Sequence, residues 1–299
     1  MQLRVLVTGG SGFVGAHVVR ALSEAGCHVT VLARSPERAA ALGALPQVTL
    51  TPGHLEDQAP WRSLLRAHDA CIHLALIWGA ASEDLELADL RASARLFEAA
   101  AEAGVEQLIY TSSTAVHRPW SPSMDALQQL RSTDYYGATK ASGEAFLSAV
   151  CHQHAMRGNV LRPGAVVGGP AVTGAPVRID RRIAGMIEAA RRGETLRVVR
   201  GEGRQFIAAG ELARLYLALL ASGCNHERFI AVAPEVIAWE EIASLVLEQV
   251  GAGRLEVDES EPTAPAVFDV RHTEQHLGLI PSARPALREA LRFHCGVIG

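Results

Sequence analysis

The sequence has neither a long apolar run nor an excess of basic charge. Its longest apolar stretches, such as Leu215–Ala221, are far shorter than the roughly 20 residues that a membrane-spanning helix needs. The 28 Lys and Arg residues are outnumbered by 32 Asp and Glu residues, which gives a net charge of −4. Such a chain has no general attraction for the phosphate backbone of a nucleic acid. We therefore expect no membrane span, no signal peptide and no nucleic-acid partner.

Cysteines and metal-binding motifs are also scarce. The five cysteines are odd in number and widely separated, and no two of them have the spacing of metal ligands. The 12 histidines form no HExxH or similar motif. We expect reduced thiols in a cytoplasmic protein, and we expect no bound metal. The cysteines are Cys27, Cys71, Cys151, Cys224 and Cys295.

Apolar strand patterns and helical patterns alternate along the first half of the chain. A chain of 299 residues that is 48% hydrophobic and 20% charged is long enough for one large domain or two interlocked ones. Helices are predicted at Gly12–Ala25, Leu85–Ala103 and Gly137–His154. This order predicts an α/β fold, with a doubly wound parallel sheet of the Rossmann type over residues 1–163. The predicted strands are Leu3–Thr8, His28–Ala33, Val48–Thr51, Ala70–Leu76, Gln107–Thr111 and Asn159–Arg162.

The pattern changes after Pro163. A Gly- and Pro-rich stretch runs to Pro176, and shorter elements follow it. Residues 164–299 are predicted to form mainly a smaller substrate-binding lobe, with some later segments returning to the first domain. The predicted elements are Arg181–Arg192, Leu196–Val199, Gly210–Ala221, Arg228–Val232 and Ala238–Val250.

Three glycines follow the first predicted strand at intervals of three residues. Gly9 allows a tight turn, Gly12 lets the backbone approach a pyrophosphate, and Gly15 lets the next helix pack close to the strand. A strand, a Gly-rich turn and a helix in this order favour a dinucleotide-binding site. The alternative is a plain turn with no ligand.

The end of the second predicted strand bears on which dinucleotide binds. Sites for NAD(H) usually have an Asp or Glu at this point, which binds the ribose 2′-hydroxyl. Here the strand ends in Ala33-Arg34-Ser35, and the planar Arg34 guanidinium suits a 2′-phosphate. The sequence therefore favours NADP(H), with NAD(H) as the alternative. Arg34 could also be a solvated residue beside the start of a helix, with Ser35 only a cap.

The chain contains one lysine, and this residue, Lys140, lies four positions after Tyr136. The spacing puts both side chains on one face of a helix. A positive charge about 4 Å from a phenol, at an effective dielectric constant of about 20, is worth about 4 kcal/mol and moves the tyrosine pKa from about 10 toward 7. Such a phenol serves as a general acid or base near neutral pH. The pair predicts a catalytic Tyr136, and a chance pair on a surface helix is the alternative.

Four hydroxyl residues, Thr111–Thr114, end the fifth predicted strand. The carboxyl ends of parallel strands face the ligand crevice, so one of these hydroxyls is placed to bind a substrate oxygen. The alternative is that the run only begins a loop and caps its backbone.

Together these motifs resemble those of the extended short-chain dehydrogenase/reductase family, the group of NAD-dependent epimerases and dehydratases. Residues 8–15 look like its nucleotide-binding loop, and Tyr136 and Lys140 match its YxxxK pair. The resemblance covers nearly the whole chain. Further segments similar to family motifs are Gly53–Asp57, Cys71–Ala75, Leu161–Gly164, Gly168–Pro170, Gly201–Ile207 and Phe229–Trp239.

The resemblance implies that Ser113, Tyr136 and Lys140 form a catalytic triad. Tyr136 would exchange a proton with a carbonyl or hydroxyl, Ser113 would orient that oxygen, and Lys140 would hold the nicotinamide ribose. Thr111 or Ser112 is the alternative if the register is off. The implied cofactor-binding residues are Gly9, Gly12, Phe13, Val14, Gly15, Arg34, His54, Leu55, Leu74, Ala75, Thr111, Tyr136, Lys140 and Pro163. The implied substrate-binding residues are Trp78, Ser113, His117 and Arg178.

Several residues depart from the family pattern. His54 replaces an Asp that contacts adenine, and His117 replaces a Tyr that follows the hydroxyl run. Ala165 replaces an Asn that nucleotide-sugar epimerases place against the sugar nucleotide, which leaves Arg204 as either a phosphate clamp or a plain surface residue. Residues Val31–Arg38 are closer to dihydroflavonol-reductase-like members, which use NADPH.

The sequence thus predicts an NADP(H)-dependent oxidoreductase that acts on a small carbonyl or secondary alcohol. An NAD-dependent nucleotide-sugar epimerase or dehydratase is the second interpretation, and a dinucleotide sensor without turnover is the third. The resemblance also implies a homodimer that packs through the predicted helices Leu85–Ala103 and Gly137–His154.

Overall fold

A computed structural model describes residues 2–77, 83–261 and 264–296 of the chain. Its strands are β1 (Arg4–Thr8), β2 (His28–Ala33), β3 (Val48–Pro52), β4 (Ala70–His73), β5 (Gln107–Thr111), β6 (Ser123–Met124), β7 (Arg157–Pro163), β8 (Ala165–Val167), β9 (Thr195–Val199), β10 (Gly203–Ala208), β11 (Arg228–Ala231), β12 (Val236–Ala238), β13 (Arg254–Asp258) and β14 (Val267–Phe268). Its α-helices are α1 (Phe13–Glu24), α2 (Ala40–Gly43), α3 (Gln58–Leu65), α4 (Glu83–Glu102), α5 (Tyr135–Gln153), α6 (Arg181–Arg191), α7 (Ala209–Ala221), α8 (Trp239–Val250), α9 (Arg271–Leu277) and α10 (Arg284–His294). Two 3₁₀ helices cover Pro36–Ala39 and Thr114–His117.

Seven parallel strands form the central sheet, in the order β11-β7-β5-β4-β1-β2-β3. From β1 the chain winds outward through β2 and β3, and from β4 it winds the other way. The winding direction therefore reverses between β1 and β4, where open α/β sheets bind their ligands at the carboxyl ends of the strands. The doubly wound parallel sheet predicted from the strand–helix alternation is confirmed.

Both faces of the sheet are covered by helices. Val5 and Val7 of β1 pack with α1 and α7 in one apolar cluster. On the opposite face, Leu6 of β1 and Cys71 of β4 pack with α4 and α5. Strands that are buried on both faces have no polar side to show, which is why they appear in the sequence as nearly continuous apolar runs.

The C-terminal part of the chain has an apolar cluster of its own, built from α6, α8, α10 and the strands β9 and β10. It contains the three-stranded sheet β12-β10-β8 and the pair β13-β9. Two later elements lie elsewhere: α7 packs on α1, and β11 is an edge strand of the central sheet. The division at residue 163 stays a prediction.

Two further observations bear on the chain as a whole. No helix among the described residues combines the length and the apolar character that crossing a bilayer requires. The five cysteines are free thiols, and burial raises the pKa of the Cys71 thiol to about 12. A thiol with so high a pKa is a packing residue rather than a nucleophile.

A buried ion pair joins the sheet to α5. Arg162 of β7 is 1% exposed and donates two hydrogen bonds to the carboxylate of Glu144, at 2.9 and 2.6 Å. Its remaining nitrogen, Nη1, donates to the Ala126 carbonyl at 2.8 Å and faces His117 Nε2 at 3.2 Å. The hydroxyl of Ser112, which follows β5, also donates to Glu144, at 2.5 Å. These contacts fix α5, β7 and the segment after β5 relative to one another.

We predict that Glu144→Gln lowers the free energy of unfolding by about 3–5 kcal/mol, because it leaves the Arg162 guanidinium buried without a counter-charge. The measurement is urea denaturation with linear extrapolation. Glu256→Gln is the matched control, because Glu256 pairs with Arg197 while 58% of the Glu256 side chain and 76% of the Arg197 side chain are exposed. That change should cost less than about 1 kcal/mol. Equal losses in the two variants would contradict the structural role of the buried pair.

Candidate active site

The turn after β1 is built from glycines because the backbone is crowded there. Gly9 has φ of +72°, and a Cβ atom on it would lie 2.5 Å from the Ala75 nitrogen. A Cβ atom on Gly15 would lie 2.1 Å from the Gly9 carbonyl oxygen. Only glycine at both positions lets the start of α1, the turn and the segment after β4 approach so closely.

The N-terminus of α1 suits an anion. Gly12 is its N-cap residue in an extended conformation, and no side chain among the described residues caps the first amides. The first turn also contains no acidic residue, so the partial positive charge of the helix end is not neutralised locally. A phosphate group is among the anions that such a helix end binds. Phe13 is buried and Val14 is half-buried in this turn.

Two more of the predicted cofactor residues lie at adjacent strand ends. The Gly53 amide donates to the Ala33 carbonyl at 3.1 Å, which brings the segment after β3 beside the end of β2. Arg34 and His54 follow these two strands, and both are exposed. Leu55 is buried, and its carbonyl accepts a hydrogen bond from the Trp61 indole at 3.1 Å. The structure thus brings the predicted adenosine-binding residues to one corner of the crevice.

A buried histidine fixes the strand ends on either side of the point where the winding reverses. His73 Nδ1 lies 2.6 Å from Thr8 Oγ1 on β1, and Nε2 lies 2.9 Å from Ser93 Oγ on α4. Its ring stacks on Tyr110 of β5 at 5.7 Å between centroids. Burial, assisted by the Lys140 charge, lowers the pKa of His73 to about 3, so the imidazole is neutral near neutral pH. Leu74 and Ala75, both predicted cofactor residues, follow directly, and the Leu74 amide donates to the Thr8 carbonyl at 3.0 Å.

The start of α5 lies against the segment that follows β5. Asp134 is the N-cap of α5, where its Oδ1 accepts from the Gly137 amide at 2.9 Å. A Cβ atom on Gly137 would lie 2.8 Å from the Ala115 carbonyl oxygen in the 3₁₀ helix. This close approach places the first turn of α5, which carries the half-buried Tyr136, against the segment that begins at Ser113.

The hydroxyls after β5 have different partners. Thr111 Oγ1 lies 2.6 Å from the Tyr216 hydroxyl, and Ser112 Oγ donates to Glu144. Ser113 Oγ accepts from the Ala115 amide at 3.2 Å, which leaves its own hydroxyl proton for another acceptor. The first two hydroxyls are thus engaged within the protein, and the cofactor-binding role of Thr111 and the catalytic role of Ser113 stay predictions.

Lys140 is 3% exposed and has a carboxylate partner, Asp89, which is not among the predicted site residues. Its Nζ lies 3.7 Å from Asp89 Oδ2 and 5.1 Å from the centre of the Tyr110 ring. Asp89 Oδ1 accepts from the Ile77 amide at 2.8 Å. Burial raises the pKa of Asp89, and the Lys140 charge counteracts that rise. The one sequence signal for Asp89 is its helical spacing: it lies four residues before Ser93, and both residues are on the buried face of α4.

A cavity of about 190 Å³ lies beside the segment after β5 and next to Gly164. Its wall includes Trp120, Arg204, Ala165 and Phe268. The Arg204 guanidinium lies 5.7 Å from the Trp120 ring centre and donates to Asp180 at 2.7 Å. An aromatic face beside a partly paired arginine suits a flat or anionic substrate group.

The structure does not bring the predicted substrate residues His117 and Arg178 together at a described ligand site. His117 is buried against Arg162, and burial together with the Arg162 charge lowers the pKa of His117 to about 4. This contact accounts for His117 without a substrate. Arg178 is exposed, and Trp78 lies outside the described residues. Pro163 is buried as the last residue of β7. The substrate-binding roles of His117, Arg178 and Trp78 stay predictions.

Comparisons with known proteins extend this description. The sequence profile of the NAD dependent epimerase/dehydratase family matches residues 5–231. The chain is 30% identical to a dTDP-4-dehydro-6-deoxy-D-allose reductase of Streptomyces sp, over 97% of this chain and 95% of that protein. It is 30% identical to a 3-beta-hydroxysteroid dehydrogenase of Mycolicibacterium neoaurum, over 55% of this chain and 48% of that protein. A solved UDP-glucuronic acid 4-epimerase from Bacillus cereus shares the fold, with a TM-score of 0.82, 19% identity and coverage of 99% of this chain and 100% of that one.

We predict that Gly15→Ala lowers the free energy of unfolding by about 1–3 kcal/mol, because the added methyl group overlaps backbone atoms of the turn. The same change should weaken dinucleotide binding, since the turn and the start of α1 must separate. Gly185→Ala in α6 is the matched control: Gly185 also lies within a helix, but no atom lies within 4 Å of its added Cβ. That variant should gain about 0.5–1 kcal/mol. Urea denaturation and fluorescence titration measure both effects, and changes of equal sign in the two variants would refute the packing argument.

Proposed function

The chain belongs to the NAD dependent epimerase/dehydratase family and is an oxidoreductase of the extended short-chain type, and from this premise we propose that it transfers a hydride between NADP(H) and a small carbonyl or secondary alcohol. The proposal rests chiefly on one observation: the start of α5, which carries Tyr136, lies against the segment that begins at Ser113, and the buried Lys140 follows one helical turn later. The nicotinamide, when bound, supplies the hydride chemistry.

The proton chemistry would belong to Tyr136. Its phenol would donate a proton to the substrate oxygen during reduction, or accept one during oxidation. Ser113 would donate its free hydroxyl proton to the same oxygen and orient it. Both side chains are half-buried, which makes their electrostatic contacts with a substrate oxygen stronger than those in bulk water.

Lys140 would stabilise the phenolate form of Tyr136 and hold the nicotinamide ribose. The Lys140 charge can stabilise the phenolate only if the ammonium group is held in position. Asp89 on α4, whose Oδ2 lies 3.7 Å from Lys140 Nζ, holds it there. Because Asp89 also accepts a hydrogen bond from the Ile77 amide, one carboxylate connects the segment after β4 to Lys140. Asp89 is therefore a positioning residue in this proposal.

The choice of NADP(H) rests on the end of β2. No acidic residue stands directly after this strand, and the exposed Arg34 is free to turn toward a 2′-phosphate. The family description names NAD, so the coarser statement is that the enzyme uses a nicotinamide dinucleotide. The preference for the phosphorylated form is the proposed refinement.

A nucleotide-linked keto sugar is the second candidate substrate. It is favoured by the Streptomyces reductase, which matches nearly the whole chain, and by Arg204 and Trp120 in the cavity wall. Ala165 in the same wall has no side-chain amide to bind a sugar nucleotide, and Arg204 is already paired with Asp180. These two observations make a plain carbonyl compound the first choice.

The proposal includes a homodimer in the cytoplasm. Leu87 on α4 and Phe146 on α5 are 55% and 49% exposed, on the two helices through which the dimer is expected to pack.

A dinucleotide sensor without turnover is the remaining alternative function. That function would give the Tyr136–Lys140 pair no role, because a sensor transfers no proton.

We predict that Tyr136→Phe lowers kcat by about 10²–10⁴-fold while cofactor affinity stays within a fewfold, because only the transferable proton is removed. Turnover is measured with NADPH and a panel of ketones, aldehydes and dTDP-linked 4-keto sugars. Tyr135→Phe is the matched control, since Tyr135 is 63% exposed, and it should leave kcat unchanged. Wild-type turnover in Tyr136→Phe would refute the mechanism. Cofactor binding without turnover on any member of the panel would favour the sensor.

We predict that NADPH binds at least tenfold more tightly than NADH, and that Arg34→Ala removes most of this difference by weakening NADPH alone, because the guanidinium contacts only the 2′-phosphate. The measurement is fluorescence titration after any bound cofactor has been removed. Arg66→Ala deletes a charge from another exposed arginine and should change neither affinity. Tighter binding of NADH by the wild type would contradict this assignment and bring the NAD-dependent epimerase interpretation forward.

A further inference from the structure

Three potential metal ligands meet at the edge of the central sheet, away from the crevice. They are Glu227, His272 and His276, and one ligand atom from each lies within 4.8 Å of the other two. Glu227 directly precedes β11, the edge strand, and the two histidines lie on α9. Because β11 begins at Arg228, the cluster sits at the amino ends of the parallel strands, opposite the end that forms the crevice.

The two histidines are spaced for a shared ligand. They are four residues apart on one helix, so their rings lie one turn apart on the same face, with centroids 4.2 Å from each other. His276 Nδ1 lies 2.9 Å from the His272 carbonyl oxygen and donates to it. This hydrogen bond places the proton of the neutral ring on Nδ1 and leaves Nε2 with a free lone pair, as in metal-binding histidines.

Glu227 supplies an oxygen at the right distance. Its Oε2 lies 3.0 Å from His272 Nε2, and the side chains are 31% and 22% exposed, respectively. Bond lengths of about 2.0–2.2 Å to a tetrahedral zinc ion require ligand atoms about 3.3 Å apart. The glutamate and His272 already meet this distance, and a small ring movement brings in the exposed His276.

The surroundings hold the cluster in place. The Phe229 ring stacks on His272 at 5.3 Å and lies 6.0 Å from His276, which forms an apolar wall on one side. The buried Thr273, between the histidines in sequence, donates to the Ile230 carbonyl at 2.7 Å and docks α9 on β11. The backbone that carries all three ligands is therefore fixed before any ion binds.

We propose that Glu227, His272 and His276 form a binding site for a divalent transition metal, Zn²⁺ by preference, that fastens α9 to the edge strand β11. Two imidazoles and one carboxylate favour Zn²⁺ and its neighbours over Ca²⁺ or Mg²⁺, which take oxygen ligands. With three protein ligands, the fourth position belongs to water. No metal is expected from the sequence, because the His272–His276 pair lacks the HExxH motif and the third ligand, Glu227, lies 45 residues before His272.

The test is metal binding by the full chain after treatment with EDTA and removal of the chelator. Calorimetric titration with ZnCl₂ should give one site per chain, and CoCl₂ should give visible absorption bands without thiolate charge-transfer absorption, which excludes the cysteines as ligands. His276→Gln should weaken Zn²⁺ binding at least tenfold, and because His276 is exposed, this variant keeps the fold. Zn²⁺ should raise the melting temperature of the wild type and not that of His276→Gln.

The matched control is His152→Gln, because His152 and His226, the residue before Glu227, form a second pair of rings that are also 4.2 Å apart. This variant should bind Zn²⁺ within twofold of the wild type. Equal affinity in the wild type and in His276→Gln would overturn the proposal, and so would an equal loss in His152→Gln. Glu227→Gln, which keeps the shape of the side chain and removes its charge, should also lose at least tenfold in affinity, and unchanged binding there would remove Glu227 from the site.

Discussion

The buried pair between Arg162 and Glu144 is the interaction on which the active-site architecture depends. It links β7, the strand beside the edge strand β11, to α5, and through Ser112 and His117 it also fixes the segment that follows β5. A pair of this kind adds little to stability compared with apolar packing, but breaking it is costly, so it restricts the neighbouring elements to one arrangement. In that arrangement the first turn of α5, which carries Tyr136, lies against the 3₁₀ helix that follows Ser113.

The parts of this architecture that could be predicted from the sequence are those that depend on local spacing. The glycines of the nucleotide turn and the Tyr136–Lys140 pair are close in sequence, so their geometry follows from helix and turn rules. The central strands were also predictable, because burial on both faces leaves a continuous apolar signal. The strand predicted over Ala70–Leu76 ends at His73, since the chain leaves the sheet where it meets the glycine turn.

The parts that could not be predicted depend on contacts between distant segments. Asp89 acquires its role only because α4 lies over the end of β4 and beside α5, and nothing in its neighbouring residues signals a lysine partner. Strand β13 was missed for a different reason: it is mostly exposed and, among the described strands, pairs with β9 alone, so its apolar content is low. Helix α10 is strongly polar on its outer face, which hides its role in packing against the C-terminal apolar cluster.

The single lysine has a consequence beyond the active site. All other Lys and Arg positions are arginine, and Lys140 is 3% exposed. The described side chains therefore present guanidinium groups to solvent and no primary amine, so reagents and enzymes that modify ε-amino groups find no accessible side chain on the folded protein. Reaction at an ε-amine would instead report that the crevice around Lys140 has opened, which gives the protein a built-in chemical probe of the integrity of its active site.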